Sequence, residues 1–208
     1  MQQTLRKADI QALPKEYRRN LINSLSGFKS LCLAGTIDRE GQTNLSLISS
    51  VIHVGASPPL MGMLMRPHVV PRHTIENIEA THHFTLNHVR EDFFEEAHQT
   101  SARYPKEVSE FEATGLKEEY TENFPAPYVL ESSVKIGLRF VERHFITSNA
   151  TQLIVGEVVE LRLPKIGIMP DGFIDLEKLG TITVSGLDSY HTTHSIRRLP
   201  YARASNQS

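Results

Sequence analysis

The stretch Asn44-Leu45-Ser46-Leu47-Ile48-Ser49-Ser50, followed by Ser57-Pro58-Pro59 and Pro71-Arg72-His73-Thr74, carries most of the information on the fold. The first segment is a polar, serine-rich strand pattern, and the prolines of the second break the chain before an apolar strand. The third places a basic group and a hydroxyl just before a predicted helix. Free N–H groups and the helix dipole favour an anion there, so we expect a phosphate site.

Length and composition limit the classes to which the chain can belong. Its 208 residues fit one domain, predicted over 1–202, with a flexible tail over 203–208. The 22 basic and 24 acidic residues nearly cancel, which argues against a nucleic-acid partner, and no apolar segment is long enough to span a membrane. Cys32 is the only cysteine, so an intramolecular disulfide is impossible. A cytoplasmic location is therefore expected, and no secretory signal is recognisable.

Short strands separated by turns dominate the chain. Apolar residues alternate with polar or small ones from Val134 to Phe140, which is the clearest strand pattern. Further strands are predicted over Phe28–Ile37, Asn44–Val54, Leu60–Arg66, His83–Val89, Leu153–Leu163 and Thr181–Ser185. The first two are expected to form a hairpin around the turn 38–41. This pattern predicts a mainly β (α+β) fold, a closed antiparallel barrel of Greek-key type with peripheral helices.

Two helical regions are expected outside the barrel. Pro14 is suited to begin a helix whose apolar face, made of Tyr17, Leu21, Ile22 and Leu25, would cover one mouth of the barrel before the helix ends at Gly27. A second, acidic region over about 91–120 has helical periodicity and an apolar seam formed by Phe93, Phe94 and Ala97. We interpret it as two short helices and a loop inserted between strands.

Several common catalytic and binding motifs are missing from the sequence. It contains no G-x-G-x-x-G, no G-x-x-x-x-G-K-[ST] and no G-x-S-x-G, which argues against a Rossmann unit, a P-loop and a hydrolase nucleophile elbow. His191 and His194 have a spacing that can bind a metal, but no third ligand accompanies them, so no metal site is predicted. Cys32 lies in an apolar run and is expected to be buried and inert.

The order of the central motifs resembles the flavin reductase-like, FMN-binding split-barrel family. The resemblance includes the serine-rich strand, the Pro-Pro break and the helix start Arg72-His73-Thr74-Ile75-Glu76-Asn77-Ile78. It continues through Phe84-Thr85-Leu86-Asn87 and Val155-Gly156-Glu157-Val158, and so extends roughly from Phe28 to Tyr190. Two positions depart from the family pattern: Thr151-Gln152 replace a histidine, and His73 replaces an aspartate that is usual at the helix start.

The resemblance implies FMN rather than FAD as cofactor, and it assigns roles to particular residues. Arg72, His73 and Thr74 would hold the phosphate, and Ser49 and Ser50 would supply hydroxyl and backbone donors. The resemblance also implies that Asn44 and Ser46 lie closer to the flavin ring and that Arg66 adds positive charge. No side chain is expected to be a catalytic acid or nucleophile, because the cofactor carries the chemistry.

Taken one at a time, these residues also have structural interpretations. The hydroxyls of Ser49 and Ser50 suit the polar face of a strand, Thr74 suits a helix cap, and Arg72 suits the surface. The methionines Met61, Met63 and Met65 alternate on one strand and are expected in the core.

The resemblance implies an FMN-dependent oxidoreductase that takes hydride from NAD(P)H and reduces a small-molecule acceptor. A homodimer with the flavin near its subunit interface is also implied. One alternative is a flavin-binding electron carrier or sensor without turnover of NAD(P)H, and another is a split-barrel interaction module that has lost its flavin.

Overall fold

The computed structural model of the protein describes residues 2–67 and 73–203, so Arg72, a predicted site residue, lies outside the described part. The described residues contain five helices: α1 Lys7–Ala12, α2 Lys15–Ser24, α3 His73–Thr81, α4 Phe94–Gln99 and α5 Glu110–Thr114. Eleven strands are described: β1 Cys32–Ile37, β2 Thr43–Ile48, β3 Val51–Ala56, β4 Pro59–Met65, β5 His83–His88, β6 Glu118–Thr121, β7 Phe124–Val129, β8 Lys135–Ile146, β9 Thr151–Arg162, β10 Thr183–Ser185 and β11 Ser189–His191. Short 3-10 turns at Glu91–Phe93 and Lys165–Gly167 complete the described elements.

Seven of the strands form one antiparallel sheet in the order β2-β1-β5-β8-β9-β4-β3. The strands β2 and β3 stand at opposite ends of this order although they follow one another in the chain. Residues 49–50 connect them, and the carbonyl of Ser50 accepts a hydrogen bond from Leu64 N at 3.0 Å. The mainly β fold is thus confirmed. Closure of the barrel is not, because no ladder between β2 and β3 is among the described pairings.

The expected single strand Asn44–Val54 is wrong in one respect, because the chain turns in the middle of it. β2 ends at Ile48 and pairs with β1, whereas β3 begins at Val51 and pairs with β4. Residues 49–50 form the corner between β2, which pairs with β1, and β3, which pairs with β4. The hairpin of the first two strands and its turn are present, and Gly41 adopts a positive φ of 90° there.

Apolar residues cover both faces of the sheet. One face forms a core with α3, in which Met63, Met65, Ile75 and Ile78 are buried. The other face forms a core with α4 and α5, where Leu45 packs with Phe93, Ala97 and Phe111. Met63 and Met65 therefore lie in the core as expected, and Met61 is partly buried against it. The apolar seam of the insert is also confirmed. The insert also holds a strand that was not predicted, since Tyr120 lies in β6.

Helix α2 does not cover the sheet. It begins after Pro14 as expected, but none of its residues is buried, and Tyr17, Ile22 and Leu25 are exposed. The expectation that the apolar face of this helix covers one mouth of the barrel is therefore not met within the single chain. Similarly, the strand predicted from Phe28 begins only at Cys32, and Phe28 itself is exposed. Among the described residues, no helix is long and apolar enough to cross a membrane.

Candidate functional site

The polar face of β2 points toward α3. Alternation along the strand puts Asn44, Ser46 and Ile48 on the α3 side, and it puts Leu45 and Leu47 against the insert. Ser46 is half-buried, so this face is polar without being fully covered. The acidic insert lies on the opposite face of β2 within the same chain.

Asn44 and Thr74 form a buried hydrogen bond between β2 and α3. Nδ2 of Asn44 donates to Oγ1 of Thr74 at 3.0 Å, and Nδ2 of Asn77 donates to Oγ1 of Thr36 at 3.2 Å in the same cluster. Asn44 is 7% exposed and Thr74 only 4%. The hydroxyl of Thr74 is therefore directed into the protein, where it positions Asn44 and the start of α3.

Ser49 and Ser50 lie at the other end of β2. Both are half-buried at the corner between β2 and β3. Oγ of Ser30 accepts from Val51 N at 3.1 Å and donates to its carbonyl at 3.0 Å, which fixes this corner. Five residues of strand separate Asn44 from Ser49, about 16 Å at the usual rise. Ser49 and Ser50 therefore lie at the opposite end of β2 from Asn44, and the polar face has two distinct ends.

Two cations stand at the corner end. Arg66 follows β4, and Lys29 lies between Phe28 and the corner residue Ser30, where its Nζ donates to the Gly186 carbonyl at 2.6 Å. Partial burial, and then the charge of Arg66, lower the pKa of Lys29 from its usual value. Among the described residues neither cation forms an ion pair within 4.0 Å. Lys29 was missed in the sequence because a lone lysine beside an apolar strand gives no signal.

Gln152, noted in the sequence only as a departure from the family pattern, also lies near this end of the sheet. It pairs with Met65 across β4 and β9, one residue before Arg66, and it is 2% exposed. Its Oε1 has no hydrogen-bond partner in the part of the chain that the structure describes. A buried carbonyl oxygen without a donor is costly, so a ligand N–H near this end of the sheet would be favourable.

Glu110, the first residue of α5, secures the outer edge of β2. Its Oε2 accepts a hydrogen bond from Leu45 N at 2.8 Å. Burial raises the pKa of this carboxyl, while the Leu45 N–H and the nearby His73 act in the opposite direction. His73 is half-buried at the first position of α3. The insert is therefore tied to the same strand that carries the polar face.

The residues described so far suit an elongated, anionic, partly apolar ligand. One end offers the start of α3 with His73 and the Asn44–Thr74 pair. The other offers the hydroxyls of Ser49 and Ser50 and the two cations. Among described residues, no cluster of three or more potential metal ligands occurs.

Comparison with known proteins identifies a family that matches most of the chain. The model of the flavin reductase like domain matches residues 29–170. A protein of unassigned function from Aquifex aeolicus is 27% identical over 130 residues, which are 62% of this chain and 65% of that protein, so the match spans just under two thirds of the relative.

Solved structures extend the similarity over nearly the whole chain. A split-barrel protein from Shewanella frigidimarina, ascribed to the flavin reductases, is 51% identical with a TM-score of 0.93 over 97% of this chain and 100% of its own. The flavoredoxin of Desulfovibrio vulgaris is 20% identical with a TM-score of 0.73 over 85% of this chain and 92% of its own, which shows a shared fold.

Proposed function

The chain belongs to the flavin reductase like domain family, and from this premise we propose that it is an FMN-binding oxidoreductase that takes hydride from NAD(P)H and reduces a small-molecule acceptor. The observation that carries the proposal is the polar face of β2, which runs from the start of α3 to a corner with two cations. When bound, the flavin supplies the hydride and electron chemistry, so no side-chain acid or nucleophile is required.

We place the phosphate at the start of α3. Arg72 and the N–H groups of the first helical turn would bind it, together with His73. Asn44 supports this end from within, because its bond to Thr74 fixes β2 against α3. Ser46, half-buried on the same face, faces the middle of the ligand.

The flavin ring would lie toward the corner of β2 and β3. Ser49 and Ser50 can donate hydrogen bonds there, and Gln152 can accept one from a ring N–H. Lys29 and Arg66 place positive charge near the end that becomes anionic on reduction. Fixed positive charge of this kind favours the reduced cofactor over the oxidised one.

A dimer is part of the proposal, with the flavin near the subunit interface. A cytoplasmic location is proposed on the single, buried cysteine, whose thiol has a pKa raised to about 12 by burial. The thiol is therefore a packing residue, and we assign it no redox role.

The second candidate is an electron carrier that binds FMN without turning over NAD(P)H. The shared fold with a flavoredoxin favours it as the alternative. Both candidates use the same site, so the fold does not distinguish them.

Absorbance spectroscopy of the purified protein tests the proposal. Spectra are recorded with and without added FMN, and then after anaerobic addition of NADH and of NADPH. Flavin bands that bleach rapidly with one nicotinamide would support a reductase and identify its donor. Bound flavin that stays oxidised would favour the carrier. A protein that binds no FMN under any of these conditions would refute both and leave the interaction module.

A further inference from the structure

Residues 192–203 lie in no helix or strand and form an arm that follows β11. Its apolar side chains point away from the protein: Ile196, Leu199 and Tyr201 are 95%, 70% and 92% exposed. Single exposed apolar residues are ordinary, but three on one short segment are not. The arm therefore presents apolar surface that its own chain does not cover.

The arm is nevertheless attached to its own chain. One guanidinium nitrogen of Arg198 donates to Oδ2 of Asp171 at 2.8 Å, and the guanidinium carbon lies 4.1 Å from the centre of the Phe173 ring. At its root, Thr192 and Thr193 help to line a cavity of about 380 Å³ beside Arg90. The arm is thus held along the surface with its apolar residues outward.

Exposed apolar residues also lie at the root of the arm and near α2. The ring of Phe28, just after α2, contacts the ring of His191 at the root of the arm, with 4.9 Å between centres. Tyr17, Leu25 and Phe28 are all exposed. Phe28 therefore adds exposed apolar surface at the root of the arm.

We propose that this arm docks on a second copy of the chain, so that two arms are exchanged across a two-fold dimer. The proposal rests on the dimer proposed above, but it is independent of flavin chemistry. A two-fold arrangement uses the same patch twice, and an arm of this length reaches about 40 Å when fully extended. A standard interface needs about 800 Å² from each partner, so the arm is expected to share the interface with neighbouring surface such as that around Phe28.

Charge complementarity favours a second copy as the occupant. The arm carries Arg197, Arg198 and Arg203 and no carboxylate, whereas the chain as a whole has a formal net charge of −2. The remainder of each copy is therefore acidic, most visibly in the insert that contains α4 and α5. The superposition on the Shewanella frigidimarina structure leaves only about 3% of the chain unmatched, which is less than the length of the arm. That protein therefore has a counterpart for at least part of it.

Two double variants of the full chain test the arm. Ile196→Asp with Leu199→Asp places carboxylates on the apolar face. Ser195→Asp with Ala202→Asp adds the same charge to exposed positions of the same arm and is the matched control. Sedimentation velocity over a concentration series gives the dimer dissociation constant, and limited trypsinolysis reports access to the bonds after Arg197 and Arg198.

We expect a dimeric wild type with slow cleavage in the arm. The control should dissociate only slightly more readily, because its two carboxylates weaken the charge complementarity and leave the apolar contacts intact. The apolar-face variant should dissociate at least about 10⁴-fold more readily and be cut rapidly, because the burial of four aliphatic side chains, two from each copy, is lost. A monomeric wild type, or a variant as dimeric as the control, would overturn the proposal. Equal dissociation of the control would also overturn it, because charge rather than apolar contact would then be responsible. A dimer that the variant dissociates but that binds no FMN would support the arm and refute the flavin proposal.

Discussion

Asn44 on β2 donates its side-chain amide to the hydroxyl oxygen of Thr74 on α3, and 3.0 Å separates Nδ2 from Oγ1. Both side chains are buried, so the bond fixes the start of α3 on the strand with the polar face. Thr74 fits the sequence pattern of a phosphate ligand, but this bond gives it the role of positioning α3 on β2.

Thr74→Val should destabilise the protein by about 1–2 kcal/mol, because it leaves the Asn44 amide with only a long contact to Thr36. Thr74→Ser, which keeps the hydroxyl, is the control and should cost less. Urea unfolding measures both. If Thr74→Val were as stable as the wild type and only FMN affinity fell, the hydroxyl would be a phosphate ligand and the positioning role would be wrong.

Arg72→Ala should weaken FMN binding by about 1.5–3 kcal/mol, the scale of a hydrogen bond to a charged group. Binding of riboflavin, which lacks the phosphate, should change little. Fluorescence titration with both ligands measures this difference. Equal losses for FMN and riboflavin, or a selective FMN loss in Arg66→Ala instead, would move the phosphate to the corner end of β2.

Lys29→Met should make reduction of the bound flavin less favourable by about 1–2 kcal/mol, or about 20–40 mV for a two-electron couple. The reason is the loss of one positive charge near the proposed ring. Dye-coupled potentiometry measures the shift, and Lys15→Met on exposed α2 is the charge control. An unchanged potential would place the ring away from Lys29.

Glu110 allows the roles of its charge and its hydrogen bond to be separated. Glu110→Gln keeps an acceptor for Leu45 N and removes a carboxyl whose pKa burial raises, so stability at neutral pH should stay the same or rise. Glu110→Ala leaves the Leu45 N–H unpaired and should cost about 1–3 kcal/mol. Thermal unfolding compares the two, and equal losses would show that the hydrogen bond contributes nothing.

His88 should make stability depend on pH. Burial lowers the pKa of its ring to about 4 from a usual value near 6.5. The unfolded chain therefore binds one more proton between these values, and the free energy of unfolding falls as pH falls from 6.5 to 4. The expected loss is about 3 kcal/mol. Urea unfolding across this range measures the slope, which His88→Gln should reduce; the same slope in both proteins would contradict the assignment.

Local patterns predicted most of the strands because they depend on spacing along the chain. Period-two alternation located β5, β8 and β9, and the alternate methionines of β4 proved to be core. The same patterns gave no sign that the strand from Asn44 to Val54 would turn at residues 49–50. That turn exists because β2 and β3 pair with different partners, and pairing is a property of the whole sheet.

By itself, the sequence determined the class of fold and, through the order of its motifs, the family. Apolar periodicity and turn residues act locally, so they can be recognised without coordinates. Only the tertiary structure decided that Thr74 meets Asn44, that Lys29 lies near Arg66, and that Glu110 satisfies the edge of β2. These partners are 30 or more residues apart in the chain and have no local signature. Strand register and the burial of two cores bring them together, and burial makes each of these polar contacts count.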